Sequence, residues 1–396
     1  MRSDTFELFV KKDKNSDNLR KIIMSNHYSN KVLNYKVVEN GYILICRKTT
    51  DDFLLEGGVV DSKLCYIPGT GYTDTGGCSY EFNALDVEFG RKCIFLGTFH
   101  VVYGHAITDN LKRLWFLNTE LGRALIDDPS VDVVYITSNN MNLPQWHKRI
   151  YELAGVDTTR LKHVRSITKY DEIIIPDNSI FIDNDVLCYT NEYRDIIEKI
   201  KGSVKVMPIY KSIPSQKLYY TRTALKSSQW REIGEKSIEK FFEKQGFKIY
   251  SPEKLPIEEQ ICLLMKCKMF AATEGSCSHA SVFCNSKVEV IVLRKANYVN
   301  LYTTMIMNMV GHRTIFIDVH HSIMTNPKAP MVGPFYLYKS ESLYSYFRKD
   351  YYVCPLWLRP KYLMYRYSIK SKYYQLRAFL GIRTKIRLIK SLVRTP

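Results

Sequence analysis

Three short stretches of this chain hold residue types whose spacing could do chemistry. The first is Val102-Tyr-Gly-His-Ala-Ile-Thr-Asp-Asn-Leu-Lys-Arg-Leu-Trp115. If a helix starts near Gly104, His105 and Asp109 stand four residues apart on one face. A carboxylate beside an imidazole fixes its tautomer and stabilises the imidazolium, which makes a general base for a hydroxyl proton. The same spacing also fits a helix-capping carboxylate and a half-buried structural histidine. The second stretch is Tyr219-Tyr-Thr-Arg222. An arginine just past the C-terminal end of a parallel strand sits where ligands bind, and its planar fork suits a diphosphate. Lys226 and Arg231 follow closely and could assist. A surface arginine in an ion pair is the plainer account. The third is Met269-Phe-Ala-Ala-Thr-Glu-Gly-Ser-Cys-Ser-His-Ala280, an apolar strand running into a helix of small residues. Gly275 permits a tight turn, and the free amides of the helix start can hold phosphate oxygens without a metal. Ser276 and Ser278 add hydroxyls, while Glu274 could accept from ribose hydroxyls or orient a sugar.

These stretches need a scaffold that presents strand ends and helix starts. Residues 1 to about 95 read as short strands and turns, with Tyr42–Cys46 as one strand. The run Pro68–Gly77 is a glycine-rich loop without the Lys-Ser/Thr of a phosphate cradle. From Lys92 the pattern alternates. Strands are expected at 93–96, 131–136 and 172–175, with helices at 104–121 and 144–154. After a break near 209–216 the alternation restarts. Strands are expected at 218–221, 247–250, 269–272, 288–293 and 314–318, with helices at 233–245, 257–265, 276–283 and 299–310. The fold class is therefore α/β, with two Rossmann-like doubly wound domains facing a central cleft in a GT-B-like arrangement. The expected domains are 1–212 (the acceptor side, with a β-rich leading segment 1–92), 213–340 (nucleotide-sugar binding) and a basic aromatic tail 341–396.

The net charge of +17 is concentrated, since residues 348–396 hold thirteen Lys and Arg against the single acid Asp350. A basic tail on a nearly neutral body suggests a surface tether or a local anionic ligand rather than general nucleic-acid binding. Tyr351, Tyr352, Trp357, Tyr362, Tyr365, Tyr367, Tyr373 and Tyr374 are interleaved with those cations, and Leu376–Val393 reads as amphipathic. That composition suits an anionic membrane surface, and equally a packed helix with a solvated basic face. The ten cysteines are scattered with no Cys-x-x-Cys pair, so they read as reduced core thiols rather than metal ligands. No stretch approaches the roughly twenty apolar residues of a membrane span. The first residues lack an apolar core region. A cytoplasmic protein, peripheral at the inner face of the plasma membrane, is expected.

In order and type, these elements resemble glycosyltransferase family 61, in particular its bacterial members linked to capsular and surface polysaccharide. Gly104-His105, Asp109 and Arg113-Leu-Trp115 look like that family's G-H-x-x-x-D followed by R-L-W. Tyr220-Thr-Arg222 with Arg231 and Glu235 resembles its strand-arginine element and the acid that follows. Glu274-Gly-Ser-Cys-Ser-His279 with Phe283-Cys284 resembles its second-domain turn, and Asp318-Val-His320 and Gly333-Pro-Phe335 its closing segment. The resemblance covers about residues 90–340. It implies a GT-B-like fold, a nucleotide-sugar donor as co-substrate, inversion at the anomeric carbon, and neither a cofactor nor an obligatory metal. The catalytic pair is then His105 and Asp109. The donor side comprises Arg222, Glu274, Gly275, Ser276, Ser278 and His279, with Arg113, Lys226, Arg231 and Glu235 in support. The acceptor is a glycan or lipid-linked glycan. Two other functions also fit the composition: a nucleic-acid-binding protein using its tail as a basic arm, and a sugar-nucleotide-binding scaffold without catalysis.

Overall fold

The structure is a computed structural model. It describes residues 5–350 except 12–13, 49–54, 72–76, 139, 230 and 322–332. Apolar strands buried on both faces and amphipathic helices between them build a mixed α/β fold of two lobes, each around a six-stranded sheet. In the first lobe the order is Leu55–Val60, Tyr35–Lys48, Thr168–Pro176, Glu88–Phe99, Val131–Thr137 and Leu161–His163. The last four run parallel, and Tyr35–Lys48 pairs antiparallel with both its neighbours.

The second sheet is parallel throughout. Its order is Phe6–Phe9, Arg313–Asp318, Glu289–Arg294, Met269–Thr273, Lys217–Tyr220 and Lys248–Tyr250. From Lys217–Tyr220 the chain steps outward to Lys248–Tyr250, then returns to the other side through Met269–Thr273. The strand order reverses between Lys217–Tyr220 and Met269–Thr273, and the crevice at such a switch point is where open α/β sheets take ligands. The loops leaving these two strands begin with Thr221-Arg222 and Glu274-Gly275.

Local sequence explains where helices stop. Asn300 caps Leu301–Val310 by accepting from the Thr303 amide at 3.1 Å, and Gly311 at φ +76° ends it. The first-lobe helices Gln145–Leu153 and Asn191–Lys205 pack on Ile257–Lys266 of the second lobe. One apolar core, from Ile94 and Phe99 to Phe270 and Val292, therefore runs through both lobes. The nine cysteines among the described residues are all free thiols.

Three expectations are corrected. The stretch 104–121 is not one helix. It is a single α-turn at Tyr103–Ala106 followed by 3-10 turns at Asp109–Leu111 and Leu114–Asn118. Thr108 interrupts it: its hydroxyl donates to the Gly104 carbonyl at 2.8 Å and its backbone leaves helical geometry at φ −126°, ψ −93°. The N-terminus does not belong wholly to the first domain, because Phe6–Phe9 is the edge strand of the second sheet and Lys14–Met24 packs on Leu301–Val310. Nor does the tail begin at 341. Helix Glu341–Tyr346 covers the second sheet, with Leu343 buried and the Phe9 and Tyr346 rings 5.4 Å apart. Residues 351–396, and with them most of the basic aromatic segment, lie outside the described residues.

Candidate active site at the lobe junction

The last residues of strand Glu88–Phe99 lead into His100 and the His105 turn. Asn110 fixes this loop, accepting from the His100 amide at 3.0 Å and donating to the His100 carbonyl at 2.9 Å. The His100 ring stacks on His105 with centroids 4.4 Å apart. Within the turn, His105 Nδ1 donates to Asp109 Oδ2, so the expected pairing forms although the long helix does not. Burial pulls the His105 pKa down, but the hydrogen bond and charge of Asp109 outweigh it and leave it above the ordinary 6.5. Burial likewise opposes charge on Asp109, yet His105 holds its pKa well below the carboxylate range. The second lobe completes the group, since Tyr302 donates its hydroxyl to Asp109 Oδ1.

At Gly104 the two lobes touch closely. A Cβ there would lie 2.8 Å from Ser276 Oγ and 3.0 Å from His279 Nδ1, so only glycine lets the Ser276–His279 turn approach. Gly275 enters that turn at φ +112°, ψ −147°, a conformation essentially restricted to glycine. Ser278 faces inward. Its hydroxyl accepts from the Gly275 amide at 3.0 Å, donates to the Gly275 carbonyl at 2.9 Å and lies 3.3 Å from Thr303 Oγ1. The hydroxyl expected on a phosphate therefore holds the turn together instead. The amides of Ser276 and Cys277, in the first turn, have no intrahelical acceptor.

Asn300 Oδ1 already accepts from the Thr303 amide, so its 3.1 Å contact with His279 Nε2 places the proton on that nitrogen. Burial pushes the His279 pKa down to about 4, which keeps the ring neutral. Glu274 is buried, and burial pushes its carboxyl up to about 7 against the pull of Arg294 and Lys295. Its Oε1 has no hydrogen-bond partner among the described residues.

On the other side of the Glu274–His279 turn lies a buried group of charges. Arg222 Nη1 and Lys295 Nζ both donate to Oε1 of Glu232, each at 2.7 Å. Glu235 Oε1 accepts from the Arg222 amide at 3.0 Å. Gly234 makes this possible: at φ +100° it turns the strand Glu232–Ile233 directly into helix Glu235–Lys244, and a Cβ there would strike the Leu337 carbonyl at 2.0 Å. Burial opposes ionisation of Glu232, but Lys295 and then Arg222 outweigh it and hold the pKa below the usual range. Glu235 goes the other way. Burial and the neighbouring Glu232 charge push it up to about 8, so it is protonated at neutral pH. Lys295 also reaches the turn, its Nζ 3.6 Å from the Cβ position of Gly275. Beside this cluster opens a cavity of about 580 Å³, lined among others by Thr221, Thr223, Glu235, Glu239 and Lys254.

His105, Asp109, Arg222, Glu235, Glu274, Gly275, Ser276, Ser278 and His279 thus converge on one junction. Lys226 and Arg231 do not join them, since both are exposed on the segment before Glu232. Arg113 is buried elsewhere, donating to the Pro176 carbonyl at 2.8 Å and the Gly69 carbonyl at 2.7 Å, where it braces the first lobe. Glu232, Lys295, Asn300 and Tyr302 were not singled out from the sequence. The clue for Lys295 was its place just past the strand Glu289–Arg294. Among the described residues, no group of three or more His, Cys, Asp or Glu could hold a metal ion.

The fold is mixed α/β with parallel strands, compatible with a Rossmann-like glycosyltransferase, and a buried cluster of charges lies at the switch point of its parallel sheet. Residues 103–291 match the family model described as Glycosyltransferase 61. The chain carries a glycosyltransferase family 61 domain and is a glycosyltransferase. The matched span begins at the His105 turn and includes Arg222 and the Glu274–His279 turn, while Lys295, Asn300 and Tyr302 lie beyond it. No curated protein matched the chain. A domain of this family implies a nucleotide-sugar donor and a glycan acceptor in general.

Proposed function

We propose that the protein is an inverting, metal-independent glycosyltransferase of GT-B-like arrangement that moves a sugar from a nucleotide donor to a glycan hydroxyl. The observation that carries this reading is the contact of Gly104 with Ser276. It sets the His105–Asp109 pair against one side of the Glu274–His279 turn while Lys295 and Arg222 line the other. The donor's diphosphate lies on Arg222, Lys295 and the amides of Ser276 and Cys277, and its nucleoside extends into the 580 Å³ cavity. Glu274, with an unpartnered buried oxygen, accepts from a sugar or ribose hydroxyl.

The acceptor hydroxyl approaches from the first lobe. His105 presents Nε2, because Asp109 occupies Nδ1. As the acceptor oxygen bonds to the anomeric carbon, its proton passes to Nε2 and the bond to the diphosphate breaks. The developing negative charge on the leaving group meets two cations already fixed in a largely buried site, where such stabilisation is stronger than in water. Attack opposite the leaving group inverts the carbon. The acceptor class we propose is a surface or capsular polysaccharide, with the basic segment 348–396 holding the enzyme at the cytoplasmic face of an anionic membrane. Among the described residues no helix is long and apolar enough to cross one.

Isothermal titration of nucleoside diphosphates against wild type and Arg222→Ala tests the donor assignment. Affinity should drop by about tenfold or more in the variant. Equal affinity would remove Arg222 from the diphosphate site.

A further inference from the structure

The cations of the donor crevice are not waiting empty-handed. Arg222 and Lys295 meet on one oxygen, Oε1 of Glu232, at 2.7 Å each. The Glu232 side chain is 2% exposed, that of Lys295 10% and that of Arg222 22%. The cations are therefore more accessible than the carboxylate they share, and Glu232 itself borders the 580 Å³ cavity beside them. Glu235 is not an equivalent partner for them, because it offers its Oε1 to the Arg222 amide, and burial with the neighbouring Glu232 charge favours its neutral form.

We propose that Glu232 is a built-in counter-anion that competes with the diphosphate for Arg222 and Lys295 and so sets how tightly the leaving nucleotide is held. The inference rests on the donor site argued above. Two cations left alone in a buried site are strongly unfavourable, so the ligand-free protein needs an anion there. A phosphate arriving between Arg222 and the Gly275 turn meets Lys295 as well, given the 3.6 Å from its Nζ to the Gly275 Cβ position. Each contact it gains weakens one to Glu232. The phosphate is bound by exchange of partners, not by filling a vacant positive hole. A vacant hole would hold the product nucleotide most tightly when it should leave. With Glu232 in place, departure restores two charge-assisted hydrogen bonds. Gly234 makes the device possible, since its left-handed turn lets Glu232 meet the cations while Glu235, at the start of the next helix, holds the Arg222 amide.

The test is calorimetric titration of the full chain with inorganic pyrophosphate, comparing wild type, Glu232→Gln, Glu232→Asp and Arg222→Ala. Glu232→Gln should bind about tenfold or more tightly than wild type. A residue that merely supports the fold gives the opposite sign when replaced. Glu232→Asp retains the charge but draws the carboxylate back by one methylene, so its affinity should fall between the two. It decides the matter if Glu232→Gln does not fold. Equal or weaker binding by the folded variant overturns the proposal. If Arg222→Ala weakens binding while the Glu232 variants do not tighten it, the counter-anion fails and the donor site stands. If pyrophosphate binds no protein in the series, both fail.

Discussion

Tyr302 reaches from the second lobe to donate its hydroxyl to Oδ1 of Asp109, while Oδ2 of the same carboxylate holds His105. The catalytic pair proposed for the first lobe is thus completed by a residue nearly two hundred positions later. Lobe packing and the orientation of His105 become one property.

Removing the imidazole separates chemistry from binding. His105→Ala should lower kcat by about 10²–10⁴-fold with little change in nucleoside-diphosphate affinity. Steady-state kinetics beside titration calorimetry would show this, and unchanged turnover would remove His105 from the mechanism.

As the proposed base, His105 must be neutral to accept a proton. Because Asp109 raises the His105 pKa above 6.5, the activity of wild type should fall on acidification through a limb lying above that value. Asp109→Asn removes the charge that raises it, so the limb should move to lower pH while the maximum rate drops.

Tyr302→Phe acts on the same carboxylate from the other lobe. Without the hydroxyl, the Asp109 charge concentrates on His105, so the acid limb should move to higher pH. Looser orientation should lower kcat by about tenfold. A variant with an unshifted pH profile would reduce Tyr302 to packing.

Gly104 and Gly275 should fail for different reasons. Gly104→Ala forces a methyl to 2.8 Å from Ser276 Oγ and should destabilise the protein by about 1–3 kcal/mol through the lobe contact. Gly275→Ala meets nothing nearer than Lys295 Nζ at 3.6 Å, but its φ of +112° adds strain of about 1–3 kcal/mol. Denaturant melts would register both. Only Gly275→Ala should concentrate its defect in donor binding.

Glu235 gives stability a pH dependence of definite sign. Its carboxyl is raised from 4.5 to about 8 in the fold, so between those values the native state keeps a proton that the unfolded chain has lost. Stability contributed by that proton is full below about 4.5 and disappears as pH rises through about 8. Glu235→Gln keeps an oxygen acceptor for the Arg222 amide and should flatten this decline, read from urea melts at pH 5, 7 and 9 (pH values about these suffice).

Much of the fold was legible because burial writes itself into parallel strands. Glu289-Val-Ile-Val-Leu-Arg294 and Met269-Phe-Ala-Ala-Thr273 are nearly continuous apolar runs, and both are central strands. Strand Phe6–Phe9 was not legible, since a short edge strand with only half-buried side chains carries little pattern. The helix expected at 104–121 failed because a threonine hydroxyl competed for the Gly104 carbonyl, a local event that hydrophobic spacing does not encode. His105 and Asp109 were found anyway, since a single turn brings residues four apart into contact.

The sequence by itself determined the groups that local geometry assembles: the His105–Asp109 pair, the Gly275 turn, and Arg222 and Glu274 at strand ends. Those positions follow from chain direction and from spacings of a few residues. Only the tertiary structure decided which charges face one another. Glu232, Lys295 and Arg222 come from three separate elements, and Tyr302 meets Asp109 across the lobe junction. Ser278 was turned inward and Arg113 drawn into the first lobe by the same packing. A buried charge takes whichever partner the fold brings within reach, and that partner is a property of the folded chain, not of its neighbours in sequence.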